Sequence, residues 1–88
     1  MLKTVFTPEY SAIVAQMKGF RERAGLSQRD LAERLAVPQA FIAKLETCER
    51  KFDPVEYIVV CRASGATPDE LASVIADVGR TITVSDLS

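Results

Sequence analysis

A compact all-α bundle of five short helices is what this chain of 88 residues predicts. Apolar residues recur at three- and four-residue spacings in five separate stretches. Each stretch is bounded by a capping residue, a proline or a glycine placed where helices start or stop. Hydrophobic residues make up 48% of the composition, enough to fill one interior, while the length leaves no room for a second core, so residues 1–88 read as one domain.

Thr7-Pro8-Glu9 supplies an N-cap, a first-turn proline and an acid that suits the helix N-terminus. Ile13, Met17, Phe20 and Ala24 follow at spacings of four, three and four, predicting a first helix over about 8–24 that Gly25 stops. Gly19 inside it costs about 1 kcal/mol against alanine. Ser27 caps a second helix over 28–35, with Leu31, Ala32 and Leu35 on one face. Ala36-Val37 is too short to be anything but a turn. Pro38 opens a third helix, 39–46, carrying Phe41, Ile42 and Leu45.

The charged segment Thr47–Phe52 breaks the period and reads as a loop. Asp53-Pro54 starts a fourth helix to Ala63, with Ile58, Val59, Val55 and the stem of Arg62 expected to face inward. Ser64-Gly65-Ala66 ends it. Thr67-Pro68-Asp69-Glu70 has the spacing of a capping box. Leu71, Val74, Ile75 and Val78 then form one apolar stripe of a fifth helix, 68–78, ended by Gly79. The tail, 80–88, contains the β-branched run Thr81-Ile82-Thr83-Val84. That run suits either a frayed terminus or an extended segment pairing with a second chain.

Several function classes fall away. No apolar run approaches the roughly 18–20 residues of a membrane span, and the N-terminus lacks the pattern of a signal peptide. The expectation is a cytoplasmic protein with no membrane partner. Cys48 and Cys61 stand thirteen apart in a chain without histidine, so no metal site is expected. With no nucleophile–base pair and no phosphate-cradling glycine loop, neither an enzyme nor a cofactor is expected.

The formal charge is −1, but it is unevenly placed. Between Lys18 and Lys51 eight basic residues face five acidic ones, a balance of +3, and the remainder carries −4. A local basic face is what a nucleic acid senses, though +3 is modest.

Helices 28–35 and 39–46, each about two turns, make a helix-turn-helix unit. In the third helix Gln39, Ala40, Ala43, Lys44 and Thr47 share one side, and Pro38, Ile42 and Leu45 the other. Gln39 stands at the leading end, where it can pair with adenine N6 and N7, and Lys44 can donate to guanine O6 and N7. Ala40 and Ala43 are small enough to let the backbone near base edges. Gln28, opening the preceding helix, can hold a phosphate with its side chain and the helix amides. Arg21 and Glu46 both fall on inward faces, where either alone would be an unpaired charge. A buried salt bridge tying the first helix to the end of the third is therefore expected.

The pattern Arg21, Gly25-Leu26-Ser27-Gln28, Leu31-Ala32, Gln39, Ile42, Leu45-Glu46 and Pro54 resembles the Cro/repressor-type, or XRE, helix-turn-helix family. The resemblance implies a lambda-repressor-like fold with the third helix as recognition helix. It implies phosphate or base contacts from Gln28, Gln39, Ala40 and Lys44, backbone contacts from Arg50 and Lys51, and a buried Arg21–Glu46 pair. Members usually have glycine where Ala36 and Cys48 stand, and a serine or threonine cap where Pro38 stands. The expected function is that of a transcriptional regulator, a repressor acting as a homodimer on a palindromic operator in double-stranded DNA. The alternative is an antitoxin or anti-regulator that works mainly by holding a partner protein.

Overall fold

The computed structural model describes residues 7–83 and Ser85. It contains α1 (Pro8–Arg23), α2 (Gln28–Leu35), α3 (Gln39–Glu46), α4 (Pro54–Ala63) and α5 (Pro68–Gly79). Among the described residues there is no strand.

The starts of the helices are chemically uniform. Thr7 Oγ1 accepts from the Tyr10 amide. Ser27–Asp30, Asp53–Glu56 and Thr67–Glu70 each form a reciprocal capping box. The first two boxes were legible as S-x-x-D and D-x-x-E, although only the third was expected. α3 is the exception: Pro38 is its N-cap and makes no side-chain cap bond.

The stops of α1 to α4 are uniform as well. Gly25, Ala36, Cys48 and Gly65 all adopt positive φ, at 72°, 55°, 62° and 87°. Each is followed by the hydrogen bond of a Schellman motif: Leu26 N to Arg21 O, Val37 N to Ala32 O, Glu49 N to Lys44 O and Ala66 N to Cys61 O. Ala36 and Cys48 therefore adopt the left-handed backbone that glycine takes most readily. Their Cβ atoms carry the strain, on the order of 1 kcal/mol each. α5 behaves differently. It runs through Gly79, and Arg80 caps it in right-handed geometry.

The core is Val14, Met17, Phe20, Leu31, Ala32, Ile42, Leu45, Tyr57, Val60, Cys61, Ala66, Leu71 and Val74. Burial at Cys61 pushes its thiol up to about 11, so it behaves as a small apolar side chain. α1 packs against α3, α4 and α5, α2 against α3 and α4, and α4 against α5.

Several expected faces are corrected. In α1 the buried stripe is Val14, Met17, Phe20 and Arg21, with Ile13 partly buried and Ala24 exposed, because the helix ends at Arg23. In α4 the inward residues are Tyr57, Val60 and Cys61, and Val55, Ile58, Val59 and Arg62 are exposed. That helix is apolar on both sides, so periodicity had no basis for choosing; packing against α1, α2 and α5 chose. In α5 Leu71 and Val74 are buried, Val78 is half-buried and Ile75 is exposed. After Gly79 the chain turns rather than extends: Thr81 N bonds to Val78 O and Ile82 N to Gly79 O. Val84 and residues 86–88 of the expected extended segment lie outside the described residues.

Replacing Ala36 by glycine relieves the strained turn without disturbing a side-chain contact of the core. We expect Ala36→Gly to raise unfolding free energy by up to about 1 kcal/mol in chemical denaturation. A destabilised variant would show that the left-handed turn is not the source of strain.

Candidate nucleic-acid interface

α3 is held from behind by one buried cluster. Arg21 on α1 donates from Nε to Glu46 Oε2 (2.6 Å) and from Nη2 to Glu46 Oε1 (2.9 Å). Its Nη1 donates to the Leu26 carbonyl at 2.8 Å. Gln28, at the start of α2, donates from Nε2 to Glu46 Oε1 at 2.9 Å. The two charged side chains are only 10% and 4% exposed. The Arg21–Glu46 pair thus ties α1, the α1–α2 turn, the α2 N-terminus and the last turn of α3 together.

The electrostatics follow from this geometry. Burial pushes the Glu46 carboxyl up, but hydrogen bonds from Arg21 and Gln28 and the Arg21 charge outweigh it and hold it below the usual value. The hydrogen bond to Glu46 raises Arg21 in turn. On the surface, hydrogen bonds from Arg23 and then from the Thr67 amide hold Glu70 down at about 2.

With Ile42 and Leu45 buried and Glu46 anchored, the opposite face of α3 is presented outward. Gln39, Ala40, Lys44 and Thr47 are exposed, and Ala43 is half-buried on the same side. Thr47 is tied back, its Oγ1 donating to the Ala43 carbonyl at 3.1 Å. The loop after α3 is fixed by a ring stack in which Phe52 lies between Tyr10 and Tyr57, with centroids at 5.1 and 5.4 Å. Lys51 and Arg50, in this loop, are exposed. Arg50 lies over the Phe41 ring at 4.6 Å and reaches Glu56 at 3.3 Å. It is a positioned cation rather than a free-swinging one.

Two expected contributions are altered by this arrangement. The Gln28 carboxamide nitrogen is turned inward onto Glu46, which leaves the amides of the α2 N-terminus as that region's outward donors. The basic excess counted in the sequence is also largely spent within the fold. Arg21, Arg23, Arg29 and Arg50 pair with carboxylates, and Arg34 Nη1 donates to the Ala63 carbonyl. Lys44 and Lys51 on the α3 face and its loop are exposed, as is Arg50, which is already engaged with Glu56 and Phe41. Sequence reasoning missed the parts played by the Leu26 carbonyl, Phe41 and Glu56. Phe41's position on the flank of α3 was the one available signal.

A helix anchored by its rear face and offering small, amide and ammonium side chains on the other defines a helix-turn-helix protein, a DNA-binding regulator by class. A helix-turn-helix domain family model matches residues 12–74. A solved structure, an XRE-family like protein from Pseudomonas syringae pv. tomato str. DC3000, is similar at 31% identity over 92% of this chain and 95% of that one, with a TM-score of 0.76. No curated protein matches. The chain belongs to the XRE-type helix-turn-helix family. No helix among the described residues is long and apolar enough to cross a membrane.

Breaking the buried pair from either side strands a charge. Arg21→Met and Glu46→Ala are each expected to cost about 3–5 kcal/mol, and the double variant less than their sum, in a denaturant double-mutant cycle. Because the folded Glu46 value lies below the reference of 4.5, its contribution is complete above that pH and is lost as pH falls through the lower folded value. Glu46→Gln should therefore flatten the acid limb of stability below about pH 4.5. The limb should not vanish, since Asp30 and Glu70 are also held low. An acid limb identical in the variant and the parent would remove Glu46 from that role.

Proposed function

We propose that this protein is a sequence-specific transcriptional repressor, working in the cytoplasm as a homodimer on a palindromic operator, with α3 in the major groove. The observation that carries this reading is the two-sided character of α3. Its rear face is locked through Glu46, and its front face exposes Gln39, Ala40 and Lys44 beside Ala43. Gln39, at the leading end, pairs with adenine, Lys44 donates to guanine, and the two alanines give the backbone close approach or touch a thymine methyl. Lys51, Arg50 and the Gln28 end of α2 hold phosphates on either side of the groove. One copy reads only a few base pairs, and a two-fold pair doubles the contacts.

A second reading is an antitoxin or anti-regulator that chiefly holds another protein. The exposed apolar residues Val55, Ile58, Val59 and Ile75 favour it. DNA binding that appears only with an added partner would select it.

Selection of bound sequences from random DNA is expected to return a palindromic consensus. Gln39→Ala should relax preference at one base per half-site, costing about 1–3 kcal/mol on the consensus and little on random DNA. Lys51→Ala should weaken all DNA alike and lower the salt slope by about one. Equal losses from both variants on specific and random DNA would overturn these roles.

A further inference from the structure

α4 is apolar on two opposite sides. Tyr57, Val60 and Cys61 fill the core, while Val55, Ile58 and Val59 remain 67%, 47% and 47% exposed. A helix greasy all round normally has neighbours on every side, whereas among the described residues the outer stripe of α4 is left largely open, Val55 and Val59 only bordering a shallow groove against Leu35, Val37 and Phe41. Beside it runs a groove of about 610 Å³ between α4 and α5, walled by Phe52, Tyr57, Ile58, Leu71 and the exposed Ile75. The surface therefore offers a ridge with a trough next to it.

The symmetry of the stripe says what covers it. Val55, Ile58, Val59 and Arg62 stand at spacings of three, one and three, which read the same in both directions. A two-fold axis passing between Ile58 and Val59 lays α4 antiparallel on its own copy. Ile58 of one copy then meets Val59 of the other, and Val55 meets the aliphatic stem of Arg62. The charges obey the same operation, because α4 begins acidic, at Asp53 and Glu56, and ends basic, at Arg62. Antiparallel pairing sets each acidic first turn beside the other copy's arginine, whereas parallel pairing would set acid against acid. Arg62 spends Nη1 on the Ala66 carbonyl, which holds its guanidinium at that end of the helix. An isologous contact requires one patch carrying both halves of every interaction, and this patch does.

We propose that α4 forms a two-fold interface with a second copy of this chain, centred on Ile58 and Val59 and flanked by Ile75 and the α4–α5 groove. This locates the dimer that the reading of the protein as a repressor requires, and it takes its biological use from that reading. A ten-residue helix is about 15 Å long, so the contact lies at the small end of interface sizes. The pair associates weakly alone, and a palindrome tightens it by holding both copies together.

Sedimentation equilibrium of the full chain without DNA tests the surface apart from DNA recognition. The parent should dimerise reversibly in the micromolar range. Ile58→Asp should raise the dissociation constant by at least about thirtyfold while circular dichroism stays unchanged. Val59→Lys, on the other side of the axis, should do the same and stands in should Ile58→Asp lose its helical signal. Arg62→Glu should weaken the dimer at low salt and converge towards the parent at high salt. On DNA, Ile58→Asp should keep parental affinity for a half-site and lose only the added affinity for the palindrome. A parent that stays monomeric at millimolar concentration overturns the proposal, as do folded Ile58→Asp and Val59→Lys variants that dimerise like the parent. A dimer of the expected strength that fails to enrich any sequence from random DNA would leave this interface standing and sink the repressor reading instead.

Discussion

The rest of the molecule hangs on the Glu46 carboxylate. α3 has only eight residues, begins at a proline without a side-chain cap, and ends at a non-glycine residue in the left-handed region. By local criteria it is the weakest helix in the chain, since two turns cannot sustain themselves in water. It is held by its tertiary contacts: Ile42 and Leu45 in the core, and a bidentate Arg21 with Gln28 on the carboxylate of its last residue. The role proposed for α3 asks that this short helix keep one orientation to within the tolerance of a base-edge hydrogen bond. A directional, buried, three-partner ion pair does this better than apolar packing alone, which is non-directional.

The same cluster explains how binding chemistry is divided between inward and outward faces. Gln28 is spent inside, and most of the arginines between Arg21 and Arg50 are spent on carboxylates or carbonyls. The recognition surface is left with few charges and small side chains. On the proposed reading, such a surface gains modestly from phosphate attraction, and discrimination between sequences would depend more on base-edge contacts than on bulk charge. The overall balance of −1 is consistent with that division.

The two left-handed residues show how a fold tolerates locally unsuitable side chains. The turn at Ala36 and the exit at Cys48 have the same Schellman hydrogen bonding as the glycine-ended helices α1 and α4. The bonds and the core contacts on either side overdetermine the backbone there, so the Cβ is accommodated as strain rather than by a change of shape. The turn before α3 and the exit after it therefore keep a glycine-type backbone with alanine and cysteine in place.

Helix number, order and most boundaries were readable from residues 7–79, because caps, prolines and stop signals act within a few residues of one another. The Arg21–Glu46 pair was readable too, since two charges on inward faces require each other. What the linear pattern could not decide was which side of α4 faces in. Val55, Ile58 and Val59 are as apolar as Tyr57, Val60 and Cys61, and hydrophobicity has no direction until neighbours supply one. Nor could it show that Gln28 turns inward, or that Arg50 lies on Phe41, because both depend on distances across the fold rather than along the chain. Local chemistry along the chain set where each helix begins and ends. Long-range packing of α1, α2 and α5 around α4, and of three elements around one carboxylate, set which residues are left exposed on the surface.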